Sequence, residues 1–237
     1  MIFYRKGSKN FPFLFWLNHT SYLCHAMQEQ DLKQLRTDYV KNTLSDEEAG
    51  NNPFSLFTNW FNEALLIEQE ANAFIIATGS SQPSARVVLL KELRGKEFVF
   101  FTNYNSRKGQ EIANNPKVGM LFFFQQLQRQ IRVEGIATKV SAEESDAYFY
   151  SRPIESQIGA IASTQSQELK DRITLENRII ELQNKYASEP IKRPGHWGGY
   201  AIKPNLFEFW QGRASRLHDR VQFTLTESEW LKSRLYP

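Results

Sequence analysis

Three short stretches of this 237-residue chain concentrate side chains that bind anions. In "EFWQGRASRLHDRVQF", residues 208–223, Arg216, His218 and Arg220 alternate with Leu217 and Asp219 between two apolar runs. In an extended chain this alternation puts two guanidiniums and an imidazole on one face. Such a row is either the solvated outer face of an antiparallel sheet or an anion site, and spacing alone leaves both open. The second stretch, Ser106-Arg107-Lys108, opens a polar helix directly after the β-rich run "FVFFTN". A helix N-terminus offers free N–H groups and a partial positive charge, so two cations there make a phosphate seat. Basic residues normally weaken that end of a helix, which puts the phosphate reading ahead of a solvated first turn. In the third stretch Tyr148, Arg152 and Ser156 recur every four residues, as on one helical face, although Pro153 breaks or kinks the helix after Arg152. Singly, Tyr148 also reads as a core aromatic and Arg152 as a helix-end cation. Arg86 and Lys91 bracket the apolar run Val87-Val88-Leu89-Leu90. Strict alternation places them on opposite faces unless a bulge intervenes or one reaches past a strand end. Two phosphate seats plus a cationic strand face point to two phosphorylated ligands.

Other chemistries lack their residues. The chain has no Walker loop, no G-x-G-x-x-G, no His or Cys cluster at metal spacing and no G-x-S-x-G elbow. Its 29 Lys and Arg against 26 Asp and Glu leave a net charge of only +3, and the basic residues are scattered, which argues against a nucleic-acid footprint. A single cysteine, Cys24, excludes an internal disulfide and fits a reducing, cytoplasmic setting. The apolar run "FPFLFWL" is far below the ~20 residues that span a bilayer. As a secretory signal it is short, contains Pro12 and lacks a convincing cleavage site. Asn18–Thr20 matches a glycosylation acceptor by chance. Residues 1–26 therefore read as an extension ahead of Met27, and 27–237 as one domain.

These groups need a frame. Helical spacing covers "QEQDLKQLRTDYVKN" (28–42) and "NPFSLFTNWFNEALLIEQE" (52–70), the latter with Asn52 as cap and Pro53 in the first turn. The runs at 73–79, 84–93, 97–103, 117–124 and 129–140 are β-rich and separated by turn residues and the polar helix 106–115, mostly an antiparallel meander. Ser141 and Glu144 form a capping box for a helix, and a longer helix covers 167–187. Strands at 197–204, 206–212 and 217–227 close the chain. The pattern predicts an α+β domain built on a small β-barrel with peripheral helices.

The runs "RVVLLK", "FFTNYNSRKGQEIANNPKVGMLF", "RQIRVEG", "YFYSRPIESQIGA", the pair Gln165-Ser166, "FWQGRASRLHDR" and the terminal "RLYP" occur in one order. In that order, from about Leu32 to Pro237, the chain resembles the pyridoxine (pyridoxamine) 5′-phosphate oxidase family. The resemblance implies an FMN-binding split β-barrel that works as a homodimer, with each flavin between subunits. It implies oxidation of pyridoxine or pyridoxamine 5′-phosphate by oxygen to pyridoxal 5′-phosphate, with release of hydrogen peroxide. Carried over by position, FMN contacts fall to Arg86, the backbone of Val87, Val88, Leu89 and Leu90, and Lys91, Phe101, Thr102, Ser106, Arg107, Lys108, Gln130, Gln165, Ser166, Trp210 and Arg220. Substrate phosphate falls to Lys91, Tyr148, Arg152 and Ser156. Arg216 and His218 lie over the pyridine ring, where His218 is a candidate for proton transfer, and Arg36 and Tyr39 cover the site. Phe101 stands where relatives often have Tyr, so its contact must come from backbone or ring face. A split-barrel flavin reductase and a non-catalytic FMN or pyridoxal phosphate carrier are the competing readings.

Overall fold

A computed structural model describes residues 37–79 and 82–237. The expected extension 1–26, its boundary at Met27, Arg36 and most of the helix expected at 28–42 lie outside those residues. The described end of that segment, 37–42, is not helical. Tyr39–Pro237 forms one compact unit. Among the described residues no helix is long and apolar enough to cross a membrane.

Among the described residues six α-helices surround a nine-stranded sheet in which every pairing is antiparallel. The helices are α1 (Asp46–Ala49), α2 (Pro53–Ile67), α3 (Arg107–Asn114), α4 (Ala142–Ser151), α5 (Ile154–Ala162) and α6 (Arg172–Tyr186). The strands are β1 (Ala73–Gly79), β2 (Pro83–Leu89), β3 (Glu92–Arg94), β4 (Glu97–Asn103), β5 (Lys117–Phe124), β6 (Arg129–Lys139), β7 (Trp197–Gln211), β8 (Asp219–Leu225) and β9 (Trp230–Leu235). Their order is β2-β1-β5-β6-β7-β4-β3, with β8 on β7 and β9 on β8.

β7 organises the sheet. One edge of it pairs with β6 over 200–211, while the other pairs first with β4, over 197–202, and then with β8, over 206–211. The sequence predicts two strands here, broken at Pro204, but the chain runs through as one. Proline has no N–H for a ladder, and it is tolerated because the β6 register shifts at Glu134/Gly135 directly opposite. Gly135 permits the bulge: a side-chain carbon there would lie 2.5 Å from the Lys203 carbonyl oxygen.

The core is phenylalanine-rich. Phe74, Phe98, Phe100, Phe122, Phe207, Phe209 and Phe223 point inward from alternating strand positions. Helix α2 closes over them, with its N-terminus fixed by the Asn52 side chain accepting the Phe54 and Ser55 N–H groups. Its buried stripe of Leu56, Phe57, Trp60 and Ala64 packs edge-on, with Phe57 at 4.9 Å from Phe98 and Trp60 at 5.4 Å from Phe209 between ring centroids. The capping box on α4 forms as predicted. The helix expected over 167–187 starts later, because the Asp171 carboxylate captures the Thr174 N–H and hydroxyl and sets the first turn there.

Candidate active site

Two groups of the predicted residues come together, each in its own place. The first lines a cleft of about 560 Å³ walled by Val87, Val88, Leu89 and Lys91 from β2 and the link after it, Phe101 and Thr102 from β4, Lys108 from α3, and Tyr148, Arg152, Ser156 and Gln165. Asn103, Pro153, Gly159, Ala160, Ser163 and Trp197 complete the wall, none of them among the contacts assigned from the sequence. Trp197, Phe101 and Tyr148 form an aromatic stack, with Phe101 4.0 Å from Tyr148 and 5.6 Å from Trp197. Gly199, directly across from Phe101 in the β4–β7 ladder, leaves room for that ring: a side-chain carbon there would come within 2.8 Å of it.

Three cations line this cleft without an anionic partner among the described residues, and two of them, Lys108 and Arg152, are withdrawn from solvent while Lys91 is exposed. Lys108 is buried, and its ammonium donates only to neutral oxygens, Thr102 Oγ1 at 3.0 Å and Gln165 Oε1 at 3.1 Å. Loss of water, and secondarily the charge of Arg86, push its pKa below the ordinary lysine value. Arg152 lies over the Trp197 ring at 4.8 Å, and its Nη1 is buried with no hydrogen-bond partner among the described residues. Burial pulls its pKa down. Buried polar groups are almost always satisfied, so an unmatched guanidinium nitrogen facing a cleft marks a place for an acceptor. The Pro153 break sets this up: α4 ends at Ser151, Arg152 turns extended as its cap (ψ 151°), and α5 begins at Ile154.

The neighbouring cations are neutralised from within. Arg86 donates to Thr78 and Ser84 and pairs with Glu111 at 3.1 Å, and Arg107 pairs with Glu111 at 2.9 Å. Hydrogen bonds from Ser84 first, then Thr78, with Arg107 and Arg86 adding, hold the Glu111 carboxyl at a pKa of about 2. Ser106 is fully committed as the α3 cap, accepting from the Gly109 N–H and donating to the Asn103 carbonyl. Leu90 is a correction: its side chain is in the core and its backbone pairs with Asn72, so it does not line the cleft. The Arg86/Lys91 conflict resolves because β2 stops at Leu89 and Lys91 lies in the link to β3, free of strand alternation. Ser166, with φ +71°, lines an adjacent groove against α6.

The second group lies at the far end of β7. Trp210 pairs with Gln130 across the β6–β7 ladder, and its ring meets His218 at 4.5 Å and Tyr39 at 5.6 Å. The row of Arg216, His218 and Arg220 predicted on one strand face is not a strand. Ala214–Arg216 is a 3₁₀ turn with Ser215 and Arg216 in the left-handed region, and β8 begins only at Asp219. Arg220 is on the sheet but is taken by buried Glu208, at 2.7 Å, and by the Tyr236 carbonyl. Burial works against ionisation of Glu208, yet the bonds from Arg132 and Arg220 keep its pKa below the usual value.

A cation-lined cleft on a curled antiparallel sheet is a site for anionic ligands, and the comparisons with known proteins give the class of protein that carries it. Residues 62–186 match the family described as pyridoxamine 5′-phosphate oxidase, and residues 197–237 match the pyridoxine 5′-phosphate oxidase C-terminal dimerisation region. The chain is 49% identical over 213 residues to the pyridoxine/pyridoxamine 5′-phosphate oxidase of Trichormus variabilis, covering 88% of this chain and all of that one. It is 49% identical over 210 residues to that of Leptospira interrogans, covering 87% and 98%. Among solved structures it is similar to PhzG from Burkholderia lata in complex with tetrahydrophenazine-1-carboxylic acid, with a TM-score of 0.77, 27% identity and coverage of 83% and 98%. A pyridoxamine 5′-phosphate oxidase-related, FMN binding protein from Nostoc punctiforme shares the fold, at a TM-score of 0.64 and 14% identity over 79% and 100%. The chain belongs to the pyridoxamine 5′-phosphate oxidase family.

Proposed function

We propose that this oxidoreductase binds FMN and oxidises pyridoxamine or pyridoxine 5′-phosphate with oxygen, yielding pyridoxal 5′-phosphate and hydrogen peroxide. The observation that carries the reading is a pair of cations without anionic partners in one cleft, the buried Lys108 and the half-buried Arg152. Each needs an anion, and they sit on different elements, so two phosphorylated ligands fit where one would leave a cation unpaired. FMN, when bound, supplies the redox chemistry. Lys108 at the α3 N-terminus would hold the flavin phosphate, with Arg107 on the same helix and Arg86 on β2 adding their charge although both are paired with Glu111, while Phe101, Thr102, Gln165 and the Val87–Leu89 backbone would contact the rest of the flavin. Arg152 takes the substrate phosphate with Tyr148, Ser156 and Lys91. An arginine fork fixes the orientation of a phosphate, whereas lysine supplies only charge.

The second group, Gln130, Trp210, Arg216, His218 and Tyr39, completes the site from a second copy of the chain. Trp197 at the cleft and Trp210 in the other group are thirteen positions apart on β7, roughly 40 Å of strand path at ~3.3 Å per residue. The groups therefore meet only between copies, which is consistent with the dimerisation region matched at 197–237. Arg220 and Ser166 contribute to the flavin site in the same dimer.

Oxygen uptake on adding pyridoxamine 5′-phosphate, with pyridoxal 5′-phosphate and peroxide formed in equal amounts, tests the reading. Pyridine-nucleotide oxidation without a vitamin B6 substrate identifies a flavin reductase, and tight binding without turnover identifies a carrier. The likeness to PhzG favours one further arm, a polycyclic carboxylic acid, because Arg152 pairs with a carboxylate as readily as with a phosphate. Preferential turnover of that acid would displace the first reading.

A further inference from the structure

The turn at residues 213–218 is held more tightly than a surface turn needs to be. Ser215 and Arg216 have φ of +56° and +61°, conformations that non-glycine residues adopt only when their surroundings enforce them. The enforcement comes from Asp219. Its Oδ2 accepts from Arg213 Nη1 at 2.7 Å and from the Leu44 N–H at 3.1 Å, and its Oδ1 accepts from Arg234 Nη1 at 3.1 Å. One carboxylate thus ties together the turn, the segment that follows Tyr39, and β9. With the turn closed, the Arg213 backbone N–H donates to His218 Nδ1 at 3.1 Å. The His218 ring is also packed against Trp210 and Tyr39.

A nitrogen that accepts an N–H bond carries no proton of its own, so the single proton of the neutral imidazole is on Nε2. We propose that His218 is a fixed Nε2–H hydrogen-bond donor rather than a base, and that Arg213 and Asp219 are positioning residues that set this tautomer. The inference rests on reading the site as one for a pyridoxamine phosphate-type substrate. A donor beside Arg216 suits an anionic oxygen on that substrate, such as a ring phenolate, and it cannot take a proton at Nε2. The charged and titratable groups around the ring are Arg213 and Arg216 in the turn, Asp219 and Arg220 at the start of β8, and Tyr39. Asp219 is already shared between two arginines, so among the described residues the imidazole has no carboxylate of its own to favour its cationic form. Protonating Nδ1 would set two N–H groups head to head. Burial, then the charge of Arg216, act in the same direction and lower its pKa.

The test is nitrogen NMR of the ¹⁵N-histidine-labelled, flavin-loaded full chain, with the His218 signals identified by their loss in His218→Gln. The expected spectrum has a bare Nδ1 and a protonated Nε2 at neutral pH. In Arg213→Ala and in Asp219→Asn the two nitrogens should move toward the average of two tautomers, with kcat/KM for pyridoxamine 5′-phosphate down about tenfold and flavin content unchanged. Arg213→Lys should restore both the spectrum and the rate. A proton on Nδ1, an imidazolium at neutral pH, or an unchanged tautomer in both variants would overturn the proposal. The spectrum is read without substrate, so it decides the tautomer even if pyridoxamine 5′-phosphate is not oxidised, an outcome that would count against the functional reading instead.

Discussion

Arg152 and Lys108 are both cations in one cleft, but they should fail differently when removed. A hydrogen bond to a charged group contributes about 1.5–3 kcal/mol, so loss of one phosphate anchor costs about tenfold or more in affinity. Arg152→Ala is expected to raise KM for pyridoxamine 5′-phosphate by at least that factor with normal flavin content, and Lys108→Ala to lose flavin while the reloaded protein keeps its KM. Flavin absorbance and steady-state kinetics separate the two, and loss of flavin from Arg152→Ala would break the division. Arg86 is not an equally clean probe, because its charge is spent on Glu111. Glu111 itself reports on stability. Its pKa of about 2 in the folded chain, against an ordinary 4.5, means that folding favours its ionised form. That contribution is complete above about pH 4.5 and is lost as pH falls toward 2. Glu111→Gln should lower the unfolding free energy by about 2 kcal/mol at neutral pH and flatten the acid limb of the denaturant-midpoint profile. An unchanged acid limb would remove Glu111 from the account. At this scale the cations were legible because basic residues beside apolar strands are rare. Glu111 and Trp197 were not, since a carboxylate in a polar helix and an aromatic at a strand start look ordinary until the fold brings them to Arg86 and Arg152.

Elements were legible wherever a local rule decided them. Asn52 with Pro53, Ser106, and the Ser141/Glu144 box each set a helix start, and Pro153 ended α4, all from contacts within a few residues. Two misjudged elements depended on distant chain. Pro204 reads as a strand break, but a bulge at Asn205 of β7, opposite Glu134 and Gly135 of β6, accommodates it, and only the pairing of Gly135 with Pro204 reveals this. Alternation from Arg216 to Arg220 reads as strand, but Asp219 gathers Leu44, Arg213 and Arg234 and folds the preceding residues into a turn. The Pro153 break has a measurable consequence. The residue before a proline is driven out of the helical region, which is what turns Arg152 toward the cleft. Pro153→Ala should let α4 run on into α5 and swing the guanidinium away, raising KM about tenfold with little change in flavin content or in overall helicity. Wild-type KM in this variant would mean that the Gln157 side chain, which donates to the Arg152 carbonyl at 2.8 Å, is enough to hold the corner.

At the scale of the whole molecule, the length of β7 makes the strongest demand. The cleft with Arg152 is at its Trp197 end and the turn with Arg216 and His218 is near its Trp210 end, so the two groups lie toward opposite ends of one long strand. If each site takes its cleft from one copy and its turn from the other, two impaired variants should rescue each other. In a mixed dimer of Arg152→Ala and Arg216→Ala, one site receives both substitutions and the other receives neither. Random exchange makes half of the dimers mixed, each with one of its two sites intact, so the rate at substrate well below KM should rise to about one quarter of wild type or more, from about a tenth or less in the parents. Mixing should be done by dilution and reconcentration or by co-expression, because a stable dimer exchanges slowly. Activity that stays at the parental level, with mixed dimers confirmed by mass, would place both groups in the same chain's site and require a fold other than this one.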